Sequence, residues 1–205
     1  MTSSKLKEAD KLTYGKIICK PRVLFASLTA GTCFLAYGSL ESTLSLRLEE
    51  YGLSQLIQGC IFGIQPVLYM LGTFLAPCLI PKWVEIRVTL IVCLFGLGLG
   101  TFLIGPFYTE MSLSAMLGGL VVTGCFLGPL IIPNMSEMMH ATALAYPHCD
   151  MDHANSLLSG MLNCSFGLGQ AMGPLAGSIL FQHTDWQIMN DSIGGFVCFF
   201  AFLYS

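Results

Sequence analysis

Long apolar runs joined by short polar links leave this 205-residue chain few ways to fold. Six runs can be marked, at 23–46, 56–80, 88–106, 112–133, 154–181 and 193–204. A helix needs about 20 consecutive apolar residues to cross the hydrocarbon of a bilayer, and the first five runs reach or approach that length. The sixth stops after 12 residues, where the sequence ends, and is expected to be cut mid-helix. Hydrophobic residues make up 54% of the chain and charged ones 10%, whereas a soluble domain carries about 25% charge. The expected fold is an all-α membrane protein with six transmembrane helices. The short links favour antiparallel neighbours.

Charge is unevenly placed along this frame. Lys5, Lys7, Lys11, Lys16, Lys20 and Arg22 crowd the first 22 residues, and no Lys or Arg follows Arg87. A basic segment leading into a run of full spanning length is not a signal peptide. Residues 1–22 read as a solvated basic arm, lying partly along the membrane surface, and 23–205 as the helical bundle. Basic residues favour the cytoplasmic side. With the arm inside, Lys82 and Arg87 are inside too and only Arg47 is outside, eight basic residues against one. The localisation expected is therefore a multi-pass membrane protein with a cytoplasmic amino terminus, in either an endomembrane vesicle or the plasma membrane.

Within the first run stands an acid, Glu41. An ionisable group at the bilayer centre costs about 2.5–3.5 kcal/mol on insertion scales, and less near the interface. Membrane proteins that keep one use it to hold a cation, pass a proton or pair within the bundle. Thr29, Cys33, Tyr37, Glu41 and Ser45 recur at steps of four and form one slanted polar stripe. On the second run Gln58, Phe62, Gln65 and Tyr69 share a face around Pro66. On the fifth, Ser159, Asn163, Phe166 and Gln170 do the same, with Pro174 beyond. Polar side chains in lipid turn to the bundle interior or a wet cavity, so three such stripes are expected to wall a cavity. Glu41 is the candidate proton or cation group. Tyr37, Gln58, Gln65, Tyr69, Asn134, Asn163 and Gln170 are the candidate substrate path. The alternative is that Gln, Asn and Ser serve only as interhelical hydrogen bonds, worth about 0.6 kcal/mol each.

Small residues four apart let helix backbones approach. Gly169, Gly173 and Gly177 form such a ridge beside Pro174, and Gly59/Gly63, Gly96/Gly100 and Gly124/Gly128 repeat the spacing. The third run has almost no polar side chain and is expected to face lipid. Pro129 and Pro133 can kink the fourth, freeing carbonyls that Asn134 or water could satisfy. The three sequons, at Asn134, Asn163 and Asn190, lie in or hard against helices and are expected to be unused. His140, His148, His153 and His183 show no metal-ligand spacing and read as solvated loop or helix-end residues. The nine cysteines lack CxxC spacing and read as small packing residues. Neither a metal nor another cofactor is expected. With no HExxH, no GxSxG and no paired intramembrane aspartates, the chain does not read as an enzyme.

The motifs resemble a known family. Tyr37-Gly-Ser-Leu-Glu-Ser-Thr-Leu resembles the G-F-L-E-P-x-L seventh helix of the vesicular amine and polyamine transporter (solute carrier family 18-like) branch of the major facilitator superfamily. Residues 156–177, with Asn163, Ser165-Phe166, Gly169 and Gly173-Pro174, resemble its eleventh helix, and 127–135 its tenth. The link 81–87 sits where the superfamily has a basic loop motif, although only Lys82 and Arg87 supply charge here. The resemblance implies that the six runs are helices seven to twelve of such a transporter. It also implies that the arm is the end of the central loop and that Glu41 is the seventh-helix acid.

Two departures matter. Ser42 replaces the family proline, and Gly128 and Asn163 stand where monoamine transporters carry acids. Those losses argue against monoamine specificity and leave an organic cation, polyamine-like, moved by proton-coupled alternating access. In this fold the substrate sits between two six-helix bundles. One bundle is half a site, so the expected partners are membrane lipid, a small organic cation, a proton, and either a missing amino-terminal half or a second six-helix bundle. No nucleic-acid partner is expected. Ending inside the sixth run favours a part of a longer chain. The rival expectation is a non-transporting membrane subunit, or a partner-binding fragment, that keeps the half-fold.

Overall fold

The computed structural model describes residues 12–79, 85–105 and 112–205. Lys5, Lys7, Lys11, Lys82 and most of the 81–87 link lie outside the described residues. Among those described, every element is helical: α1 (Tyr14–Ile18), α2 (Pro21–Glu50), α3 (Gln55–Leu79), α4 (Ile86–Ile104), α5 (Leu113–Ala145), α6 (Met151–His183) and α7 (Trp186–Tyr204). Four of them are long and apolar enough to cross a membrane: α2, α3 over Gln55–Pro77, α4 and α5. The chain is an all-α membrane protein. Polar residues and glycines dilute α6, and Gln187, Asn190 and Asp191 dilute α7, so both fall below the same hydropathy mark.

Local chemistry explains where the helices start. Pro21 occupies the first turn of α2, where its missing N–H would have had no partner and its fixed φ suits the helix. The Ser112 side chain accepts from the Ala115 N–H at 3.2 Å, and Asp150 accepts from the Asp152 N–H at 3.1 Å, each satisfying an orphan donor of a first turn. Between α2 and α3, Gly52 adopts φ 64°, a left-handed turn that glycine makes without a Cβ clash.

The helices extend beyond the apolar runs. α5 continues from Pro133 to Ala145, so His140 lies on a helix and the link before α6 shrinks to residues 146–150. α7 begins at Trp186 rather than at residue 193, and its 19 residues are more than the short run suggested. A polar turn ends an apolar run without ending a helix, because the bundle, not lipid, receives those side chains.

α2 is the centre of the bundle and α3 its edge: 61% of the apolar window of α2 is buried, against 17% for α3. α2 packs chiefly on α6 and also on α5 and α7, while α4 is held between α5 and α7, and α3 leans on α5. A Cβ on Gly173 would come within 2.6 Å of the Leu35 carbonyl oxygen, and one on Gly177 within 2.8 Å of Ser39 Cβ. Gly169 abuts the Gly31 carbonyl oxygen more tightly still. These contacts bring α6 and α2 to backbone distance, and the Ser27 and Ser165 hydroxyls meet between them at 2.6 Å. Gly100 and Gly128 are similarly crowded, by Thr123 and by Thr73, but Gly59 and Gly63 have nothing within 4 Å. Their spacing alone therefore did not mark a contact.

The expectation that the third run faces lipid holds for one side only. Val88, Val92, Leu99 and Leu103 of α4 are exposed, whereas Leu90, Leu94, Leu97 and Thr101 are buried. With apolar residues all round, the sequence carries no pattern that tells these faces apart.

Candidate functional site

The polar stripe of α2 turns as it climbs. Four residues advance a helix by about 400°, so each step of four drifts by about 40°. Thr29 and Cys33 are accordingly buried, Tyr37 is half-buried and Glu41 is exposed. Glu41 opens onto a groove of about 310 Å³ between α2 and α3, bordered also by Tyr37, Phe62, Gln65 and Pro66, with Leu120 of α5 at its edge. Gln65 is only 7% exposed, so the groove reaches an amide in the bundle wall. Among the described residues no hydrogen bond or ion pair engages the Glu41 carboxylate.

The other candidates are placed elsewhere. Gln58 donates from Nε2 to the Leu53 carbonyl at 3.0 Å, tying the turn before α3. Tyr69 is half-buried on α3 outside the groove lining. Asn163 and Gln170 are exposed on α6 and do not line the groove. The stripe they belong to meets α2 instead through Phe166, whose ring lies 4.7 Å from that of Phe34. Asn134 is fully buried on α5, and neither its amide oxygen nor its nitrogen has a partner among the described residues. Asn190 is 1% exposed, and its amide donates to the Trp186 carbonyl at 2.9 Å.

A second polar centre was missed by sequence reasoning. Glu137 of α5 is 1% exposed and accepts from Arg22 Nε at 2.6 Å. Arg22 Nη2 reaches His140 Nδ1 at 3.4 Å. The signal was present, an acid and a histidine at i and i+3, but it lay past Pro133, where the apolar run had ended.

The segment before α2 is held as well. Leu12 and Ile17 are buried, His153 Nε2 donates to the Leu12 carbonyl at 3.1 Å, and the Tyr146 hydroxyl donates to the Lys16 carbonyl at 3.2 Å. From residue 12 onward the arm therefore touches the α5–α6 corner through Leu12, Lys16 and Ile17, while residues 13–16, 18 and 19 stay exposed.

No protein-family model matches the chain. It is 29% identical over 193 residues to the MFS-type transporter SLC18B1 of Mus musculus, a match covering 88% of this chain and 41% of the mouse protein. It is 27% identical over 190 residues to the MFS-type transporter SLC18B1 of Rattus norvegicus, covering 88% of this chain and 40% of the rat protein. Over most of its length the chain is thus similar in sequence to MFS-type transporters. The resemblance to the solute carrier family 18-like branch extends along most of its length, and the chain spans about two fifths of the curated relatives it matches.

Proposed function

We propose that this chain forms one bundle of a secondary transporter for a small organic cation, with Glu41 as its cation or proton group. In this reading α2–α7 all cross the membrane, with the amino terminus cytoplasmic as the basic residues favour. The observation that carries it is an acid without an ion-pair partner among the described residues, open to a groove that also presents Tyr37, Phe62 and Gln65. A carboxylate in a spanning helix is stable only beside water, a partner or a cation. Aromatic rings next to it suit an organic ammonium, which they attract through the electron-rich face. The exposed setting of Glu41, Asn163 and Gln170 is that of residues facing a second bundle across a shared path.

The test is proton-driven uptake of labelled amines and polyamines into proteoliposomes, using the natural polypeptide that carries this sequence. Uptake by wild type and its loss in Glu41→Gln, with helicity unchanged, is the expected result. Undiminished uptake by Glu41→Gln would make the acid structural. A well-folded wild type that moves none of these cations would favour a non-transporting subunit.

A further inference from the structure

Two buried amides in this bundle have no hydrogen-bond partner among the described residues, and they differ in what they can reach. Both polar atoms of Asn134 are sealed, whereas those of Gln65 keep accessible surface. Gln65 is more than nine-tenths buried, yet it borders the groove that Glu41 opens onto. Its place in the wall is set by the main chain. A Cβ on Gly124 of α5 would come within 3.1 Å of the Gln65 carbonyl oxygen, so α3 is seated on α5 at this residue and its side chain is not needed for the contact.

Pro66 follows inside the same helix. It has no N–H to give the carbonyl four residues back, which is that of Phe62, and Phe62 and Pro66 both border the groove. The wall therefore offers a carboxylate, an amide, and a main-chain carbonyl without its helical partner, beside the rings of Tyr37 and Phe62. Among the described residues that line it there is no Lys or Arg.

These groups ask different things of a cation. Aromatic faces attract any organic ammonium, quaternary ones included, and a carboxylate attracts any positive charge. An amide oxygen and a carbonyl gain only from an N–H. Covered by a fully methylated nitrogen, they lose water and receive nothing in return. A primary ammonium brings three N–H donors, as a lysine side chain does.

We propose that this groove selects a primary ammonium over a quaternary one of equal charge, and that Gln65 is the residue that makes the distinction. The inference rests on the reading of Glu41 as the cation group. The ammonium donates to the Glu41 carboxylate, to the Gln65 amide oxygen and to the Phe62 carbonyl, while its carbon chain lies along the two rings. Glu41 answers the charge, and Gln65 answers the N–H.

The test is a methylation series. Phenethylammonium and its N-methyl, N,N-dimethyl and N,N,N-trimethyl forms each carry one positive charge at neutral pH. They are titrated calorimetrically into the purified natural polypeptide that carries this sequence. Wild type should bind the primary form at least about tenfold more tightly than the trimethyl form, since one hydrogen bond to a charged group is worth about that much. Affinity should fall along the series. Gln65→Met keeps the length and loses the amide, so it should narrow the preference several-fold and leave the trimethyl affinity nearly unchanged. Glu41→Gln should weaken all four.

Equal affinities along the wild-type series would overturn the selectivity while leaving the cation reading in place. That comparison needs no variant, so it decides even where Gln65→Met folds poorly. A Gln65→Met protein of unchanged helicity that weakens all four alike would make Gln65 a packing residue and overturn its role. Binding of none of the four by well-folded wild type, or binding that Glu41→Gln leaves intact, would overturn the cation reading and this proposal together.

Discussion

The two acids at opposite ends of this bundle are handled in opposite ways. Glu41 stands in the α2–α3 groove with its carboxylate exposed and unengaged by the described residues. Glu137 is sealed at the foot and bonded to Arg22 at 2.6 Å. A buried charge survives only when its lost hydration is replaced, and Arg22 does that for Glu137. No described residue does it for Glu41, whose side chain is exposed. The paired acid is held inside the bundle, and the open one borders a groove.

The sharpest way to break this comparison is Arg22→Leu. It strands a buried carboxylate and should cost about 3 kcal/mol, the lower end of the usual range because Arg22 is partly exposed. The double change Arg22→Leu/Glu137→Leu should recover most of that loss. Unfolding in detergent, followed by circular dichroism, reads both, and a single change without cost would show that the pair is not a brace.

Next in size, Gly173→Ala places a methyl against the Leu35 carbonyl and should destabilise by about 1–3 kcal/mol through overpacking. The same change at Gly59, where space is open, should stabilise by up to about 1 kcal/mol, since Ala is the better helix former. Equal melting shifts of the same sign would refute the α2–α6 contact.

Asn134→Leu removes an amide that has no partner among the described residues and should fall within about 1 kcal/mol of wild type. A larger loss in the same unfolding assay would reveal a partner for it. Smallest of all, Glu41→Gln should alter stability by less than about 0.5 kcal/mol, as exposed substitutions do, while removing uptake. A large stability loss there would place Glu41 with Glu137 as a structural acid.

The helical frame was legible because lipid punishes polar backbone and rewards long apolar runs. Helix ends were less so: His140 and Asn190 lie on helices although the apolar runs had stopped or not begun. The groove was legible in part. Tyr37, Glu41 and Gln65 border one space, but Asn163 and Gln170 lie elsewhere, because a stripe at steps of four drifts around its helix and spacing does not say toward what. Arg22 and Glu137 are separated by 115 positions, and no local pattern joins them.

By itself the sequence determined a bundle of membrane helices, the ridge of Gly169, Gly173 and Gly177, and an acid in the first long helix. Each follows from a short-range rule: hydropathy over about 20 residues, or side-chain direction along one helix. Only the tertiary structure decided which acid is paired and which glycines touch a neighbour. Those outcomes depend on which helix faces come together, and in a chain apolar nearly all round, many faces are equally able to do so.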